Sequence, residues 1–154
     1  MYRPVLKSKI DSMAEPELMT EEDIHAFGVE IVFKQLQKAE WLIESTDVFA
    51  DRANQPQIVA HKNGEAGFFV IRTAMYPGRG RIEGEEVFQR LVRHAANHGA
   101  SCYFASVGIA NSEGKSEDDM SVPVKGVAYN VAFDGLVKME LPPDQDPPPP
   151  DQEK

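Results

Sequence analysis

Apolar residues recur at helical spacing over Ile24, Phe27, Ile31, Val32 and Leu36, which predicts a helix at about 21–39 with one buried face. Its start is marked by Thr20 followed by Glu21, Glu22 and Asp23. That is a capping-box pattern, with acids placed at the positive helix end. The pattern then shortens. Trp41 to Ser45 reads as a strand, and a polar loop with Asn54 and Pro56 follows. Gln57–Lys62 and Phe68–Thr73 flank Asn63-Gly64, a pair tolerant of positive φ, and together predict a hairpin. Their nearly continuous apolar runs suit strands covered on both faces. Tyr76 to Arg81 is a loop. A second helix over 83–98 turns Val87, Leu91, Val92 and Ala95 inward and stops at Gly99. Two more strands are expected, Cys102–Ala110 and Val124–Phe133, separated by a polar, acidic loop from Asn111 to Ser121.

The order predicts an α+β (α/β) fold: an αβββαβ core with a central mixed sheet flanked by helices, plus one extra C-terminal strand. Residues 1–19 read as an N-terminal arm, 20–140 as a single domain, and 141–154 as a disordered acidic Pro-rich tail. That tail, LPPDQDPPPPDQEK, has almost nothing apolar to bury and prolines that join neither helix nor ladder. At 154 residues with 42% hydrophobic positions, the chain suits one globular domain. Cys102 is the only cysteine, so no intramolecular disulfide forms and no cysteine cluster exists. No apolar run approaches the roughly 20 residues that span a bilayer, and the first residues lack the apolar core of a secretion signal. A cytoplasmic protein without membrane partners is the expectation.

The formal charge is -9, which repels nucleic acid and anionic membranes at long range. The segment from His61 to Ala100 departs from this trend. Its six basic residues, Lys62, Arg72, Arg79, Arg81, Arg90 and Arg93, outnumber Glu65, Glu83, Glu85 and Glu86. Arg79-Gly80-Arg81, with Arg72 before it and Arg90 and Arg93 after it, has the makings of an anion-binding surface. Glycine lets backbone amides approach an anion, and arginine forks suit phosphate or carboxylate. The plainer alternative is that Arg90 and Arg93 pair with Glu86 and with Glu85 or Glu83 along the helix.

At these residues the chain resembles the core of the PD-(D/E)xK nuclease superfamily, the restriction-endonuclease-like and Holliday-junction-resolvase-like proteins. Gly28-Val29-Glu30, ahead of Trp41-Leu42-Ile43, is similar to that family's Gly-x-Glu helix leading into its first strand. QIVAHKNGEAGFFVIRT resembles its second and third strands, and HGASCYFASV its fourth. The resemblance covers about residues 21–110. It implies an Asp and a Glu that hold Mg²⁺, with a Lys that orients water. In this chain the family's Asp falls on Gln57, its Glu on Val70 and its Lys on Arg72, while Glu30 keeps its type. Gln57 offers a neutral carbonyl, Val70 no ligand atom, and Arg72 is too basic to accept a proton. The resemblance therefore implies a nuclease-shaped protein with a degenerate pocket at Glu30, Gln57 and Arg72, no metal site and no cofactor. A shifted alignment would instead recruit Asp47, Asp51 or Glu65 to a displaced metal site. The whole chain also resembles a group of small, uncharacterised bacterial proteins.

Other residues carry less. His94 and His98 share the i,i+4 spacing of helical zinc sites, but Ala95, Ala96 and Asn97 between them supply no further ligand. Cys102 and Ser106 sit in an apolar strand without a nucleophile's activating neighbours. Three functions stay open: a catalytically inactive nuclease-like binding or regulatory module, meeting a protein partner or weakly a nucleic acid through Arg79, Arg81, Arg90 and Arg93; an acidic module resembling secretion chaperones, which dimerise and hold clients by strand addition; and a nuclease with a displaced site.

Overall fold

The computed structural model describes residues 17–141 and contains α1 (Glu21–Lys38), β1 (Leu42–Thr46), β2 (Ile58–Lys62), β3 (Glu65–Met75), α2 (Glu85–Asn97), β4 (Ala100–Asn111), α3 (Glu117–Met120) and β5 (Tyr129–Met139). The strands form one sheet in the order β1-β2-β3-β4-β5. All neighbours are antiparallel except β3 and β4, which run parallel because α2 carries the chain back between them. This is the α+β class and the αβββαβ order with a further C-terminal strand.

Local chemistry explains the boundaries. Thr20 Oγ1 accepts from the Asp23 amide and Asp23 Oδ2 from the Thr20 amide, a reciprocal cap on α1. Asn63 (φ 54) and Gly64 (φ 82) turn β2 into β3, as the Asn-Gly pair predicts.

The sheet is covered on both faces around its centre. In β3, Phe69 and Ile71 point to the α1 side, where Val29, Val32, Leu36, Ile58, Ala60, Ala105, Val107 and Ile109 complete a buried cluster. Phe68 and Val70 alternate to the other side and meet Leu91, Ala95, Cys102 and Met139 under α2. Gly28 brings α1 down onto β3: a Cβ there would overlap Thr73 Oγ1. Gly80 does the same for the loop after β3, since a side chain would run into the Arg72 carbonyl.

Two expectations are corrected. The last strand is Tyr129–Met139, not 124–133, because a bulge at Asp134-Gly135 (Gly135 φ 107) reverses the alternation: Phe133 and Leu136 both pack toward α1, three residues apart. The loop over 111–121 contains the short helix α3, capped by Ser116. Of the arm, residues 17–19 are described and strap onto the segment before β5. Leu18 bridges Val124, and the Met19 amide donates to the Pro123 carbonyl at 2.6 Å. Leu141 is buried, so the packed chain runs one residue past 140; the rest of the expected arm and tail lies outside the described residues.

Candidate functional site

The residues at which the nuclease resemblance converges divide into two places. Gln57 closes the start of β2. Its side-chain carbonyl accepts from the Ile71 amide (2.8 Å) and from Arg72 Nη1 (3.3 Å). Arg72, on β3, is only 4% exposed, and its guanidinium is fully engaged. Nε and Nη2 grip the two oxygens of Glu83 at 2.7 and 2.9 Å; Nη2 also reaches the Arg52 carbonyl (2.7 Å), and Nη1 the Ile71 carbonyl (3.1 Å). Five donors meet five acceptors, which leaves this arginine nothing to offer a substrate. Glu30 is elsewhere. It lies on the exposed side of α1 and pairs with Lys34 at 3.0 Å. The structure therefore brings Gln57 and Arg72 together and adds Glu83, while Glu30 stays outside the group. Val70 is buried in the core under α2.

The four arginines proposed as one binding surface line two different clefts. Arg79 and Arg81 join Arg52, Arg72, Glu21, His25, Thr73 and Glu83 around a hollow of about 350 Å³ between the start of α1 and the loop joining β3 to α2. Arg90 and Arg93 line a broader hollow of about 580 Å³ on α2 with Asn54, Gln55, Gln89 and His94. The pairing expected along α2 gives way to tertiary contacts. Glu83 precedes the helix and is held by Arg72, Glu85 accepts from Gln89 Nε2, and Arg90 donates to the Ala53 carbonyl at 3.4 Å.

The smaller cleft is stiffly built. Gly80 donates to the Val107 carbonyl and accepts from Ser106 Oγ at 2.7 Å, which pins the Arg79-Gly80-Arg81 segment across the parallel strands. The stem of Arg79 lies against Gly108, where a Cβ would meet its Cδ. Arg79 Nη2 reaches Asp134 at 3.3 Å, and its buried Nε has no partner among the described residues. His25 is buried in the same wall with Nε2 2.7 Å from the Val48 carbonyl. Burial lowers its pKa, so the ring is neutral at physiological pH and donates Nε2–H to that carbonyl. His25 and Arg52 are site residues that sequence reasoning missed. His25 carried a usable signal, standing four and seven residues before Val29 and Val32 on the buried face of α1.

The remaining candidates hold structural places. His98 Nδ1 is 2.9 Å from the His94 carbonyl, and both rings lie against Phe68. Cys102 is buried, its thiol pushed up to about 12 by desolvation. Asp51 accepts from Asn54 Nδ2 and the Ala53 amide within its own loop, Glu65 sits exposed at the hairpin end, and His61 bonds Glu44 on the neighbouring strand. Among the described residues no three His, Cys, Asp or Glu side chains are grouped to hold a metal ion, and no helix is long and apolar enough to cross a membrane.

Fold and site together define a five-stranded α+β domain with an arginine-lined cleft beside its first helix. The chain belongs to the family described as a domain of unknown function, DUF8840, whose model matches residues 22–139. No curated protein matches it.

Proposed function

We propose that this protein is a binding or regulatory module on a nuclease-like scaffold that has lost its hydrolytic centre. The observation that carries this reading is the saturation of Arg72. It stands where the resemblance puts the water-orienting lysine, yet all five of its donors are spent on Glu83, Gln57, Arg52 and Ile71. The retained carboxylate, Glu30, is tied to Lys34 on the far side of α1's buried stripe. A single remote carboxylate is a poor divalent-cation site. The partner is a protein, or weakly a nucleic acid, met through Arg79, Arg81, Arg90 and Arg93, and the setting is cytoplasmic.

The test is incubation with duplex and branched DNA in magnesium or manganese. No cleavage is expected. Cleavage that disappears in Glu30→Gln would overturn the reading. Nucleic-acid binding, where present, should weaken steeply with salt and in Arg79→Ala/Arg81→Ala.

A second reading, an acidic module resembling secretion chaperones, is favoured by β5. This strand of 11 residues is paired only with β4, and it leaves Val131 45% and Val137 62% exposed. Such an edge can accept another strand. A strictly monomeric mass in solution with no affinity for extended peptides would dispose of it.

A further inference from the structure

We propose that the 350 Å³ cleft beside α1 binds a small phosphate monoester whose organic part carries hydroxyl groups. The inference keeps the binding role proposed above but goes beyond it in the occupant: this cleft takes a small molecule, and a macromolecular partner would be met outside it. Arg52, Arg72, Arg79 and Arg81 line the hollow with Glu21 and Glu83. The Arg79 guanidinium is turned along β4 to Asp134 of β5, so Arg52 and Arg81 are the cations of the lining without an acidic partner among the described residues. Glu83 is neutralised by the two-pronged grip of Arg72, so this pair contributes little net field. Arg52 and Arg81 have no side-chain partner among the described residues. Concentrating this charge in one hollow runs against a chain whose formal charge is -9. Planar guanidinium forks match phosphate oxygens.

The geometry is set before any ligand arrives. Gly80 and Gly108 let the Arg79-Gly80-Arg81 segment lie flat on β3 and β4, and the Gly80 bonds to Val107 and Ser106 hold it there. The backbone needs no reordering on binding, and the cost that remains is the ordering of the Arg52 and Arg81 side chains. A cleft of about 350 Å³ is at the small end of ligand sites, which fits one compact molecule and no polymer. Glu21 in the lining supplies an acceptor for hydroxyl groups. Glu21 also disfavours a second phosphate.

The experiment is calorimetric titration of the full chain with inorganic phosphate, glycerol 3-phosphate and ribose 5-phosphate, with citrate as the carboxylate comparator. Saturable one-to-one binding is expected, tighter for the two esters than for inorganic phosphate. Arg52→Ala/Arg81→Ala should weaken it by about tenfold or more, the loss of one charge-assisted contact or two. Lys34→Ala/Lys38→Ala, which removes the same charge from outside the cleft, should leave it within about twofold. The phosphate esters should also raise the thermal midpoint of the native protein but not of Arg52→Ala/Arg81→Ala. Titrations that do not saturate, equal losses in the two double variants, or citrate binding as tightly as the esters would each overturn the inference. DNA cleavage would sink the scaffold reading and leave a saturable phosphate titration standing, so the two failures are distinguishable.

Discussion

Gly28 of α1 rests directly on Thr73 of β3, so closely that a methyl group on the glycine would overlap the threonine hydroxyl. Helix propensity alone would reward Gly28→Ala by up to about 1 kcal/mol, but forcing a methyl into a filled interface costs about 1–3 kcal/mol. The overlap should win, and Gly28→Ala should lower the urea midpoint. Thr73→Ala removes the colliding oxygen, so the double variant should be less destabilised than the two single effects predict together. A gain in stability for Gly28→Ala alone would show that α1 can lift off β3 freely.

Arg72 at 4% exposure ties its own strand to the segment leading into β2, through Arg52 and Gln57, and to Glu83 before α2. Arg72→Met should destabilise by about 3 kcal/mol or more, since it strands the Gln57 and backbone acceptors in the interior. Arg72→Lys should recover little of this, because one ammonium cannot replace a five-donor fork. Chemical denaturation of both variants checks the order; a lysine variant as stable as the native protein would refute the fork argument.

The folded state depresses the pKa of His25, chiefly by burial, and that of His94 for the same first reason. Arg52 and Arg72 depress His25 further, while Glu83 opposes them. As pH falls below the unfolded value of 6.5, the unfolded chain takes up protons that the native rings resist, so stability should decline with acidification. Between about pH 7.5 and 5.5, His25→Gln should show a flatter decline than the native protein. The glutamine amide keeps a donor for the Val48 carbonyl, so this variant tests titration and not the loss of that bond.

Cys102 lies under α2 with its Sγ 3.6 Å from Met139 Sδ, and its thiol is pushed up to about 12. At neutral pH it is protonated and enclosed, so a disulfide reagent should fail to modify the native protein and react promptly in urea. Rapid labelling without denaturant would mean that β4 and β5 part more readily than their long ladder implies.

The elements with continuous patterns were legible in the sequence. Thr20 marked the start of α1 because its hydroxyl has one obvious use, and Asn63-Gly64 marked the hairpin because few pairs turn that way. β5 was legible only to Phe133. Asp134-Gly135 looks like a turn and is a bulge, after which the inward side chains change parity. Gln57 and Arg72 were placed in one pocket by the family resemblance, and the adjacency of β2 and β3 is what brings them together. Glu30 was misplaced because a one-residue step on a helix turns the side chain by about 100°, away from the stripe of Val29 and Val32. Arg52 was invisible for a different reason. Its loop is brought to the cleft by its own carbonyl bonding Arg72, a backbone contact with no side-chain pattern to announce it.

The strap at residues 17–19 has a practical bearing on how this domain should be trimmed. A fragment cut at the family boundaries, 22 and 139, would discard Thr20, both hydrogen bonds of the reciprocal cap, the Leu18–Val124 bridge and the buried Leu141. The family match and the packed chain differ here by a few residues at each end. Those few residues hold the first turn of a helix and the lid over the last strand, so the shorter fragment should melt earlier than one spanning 17–141.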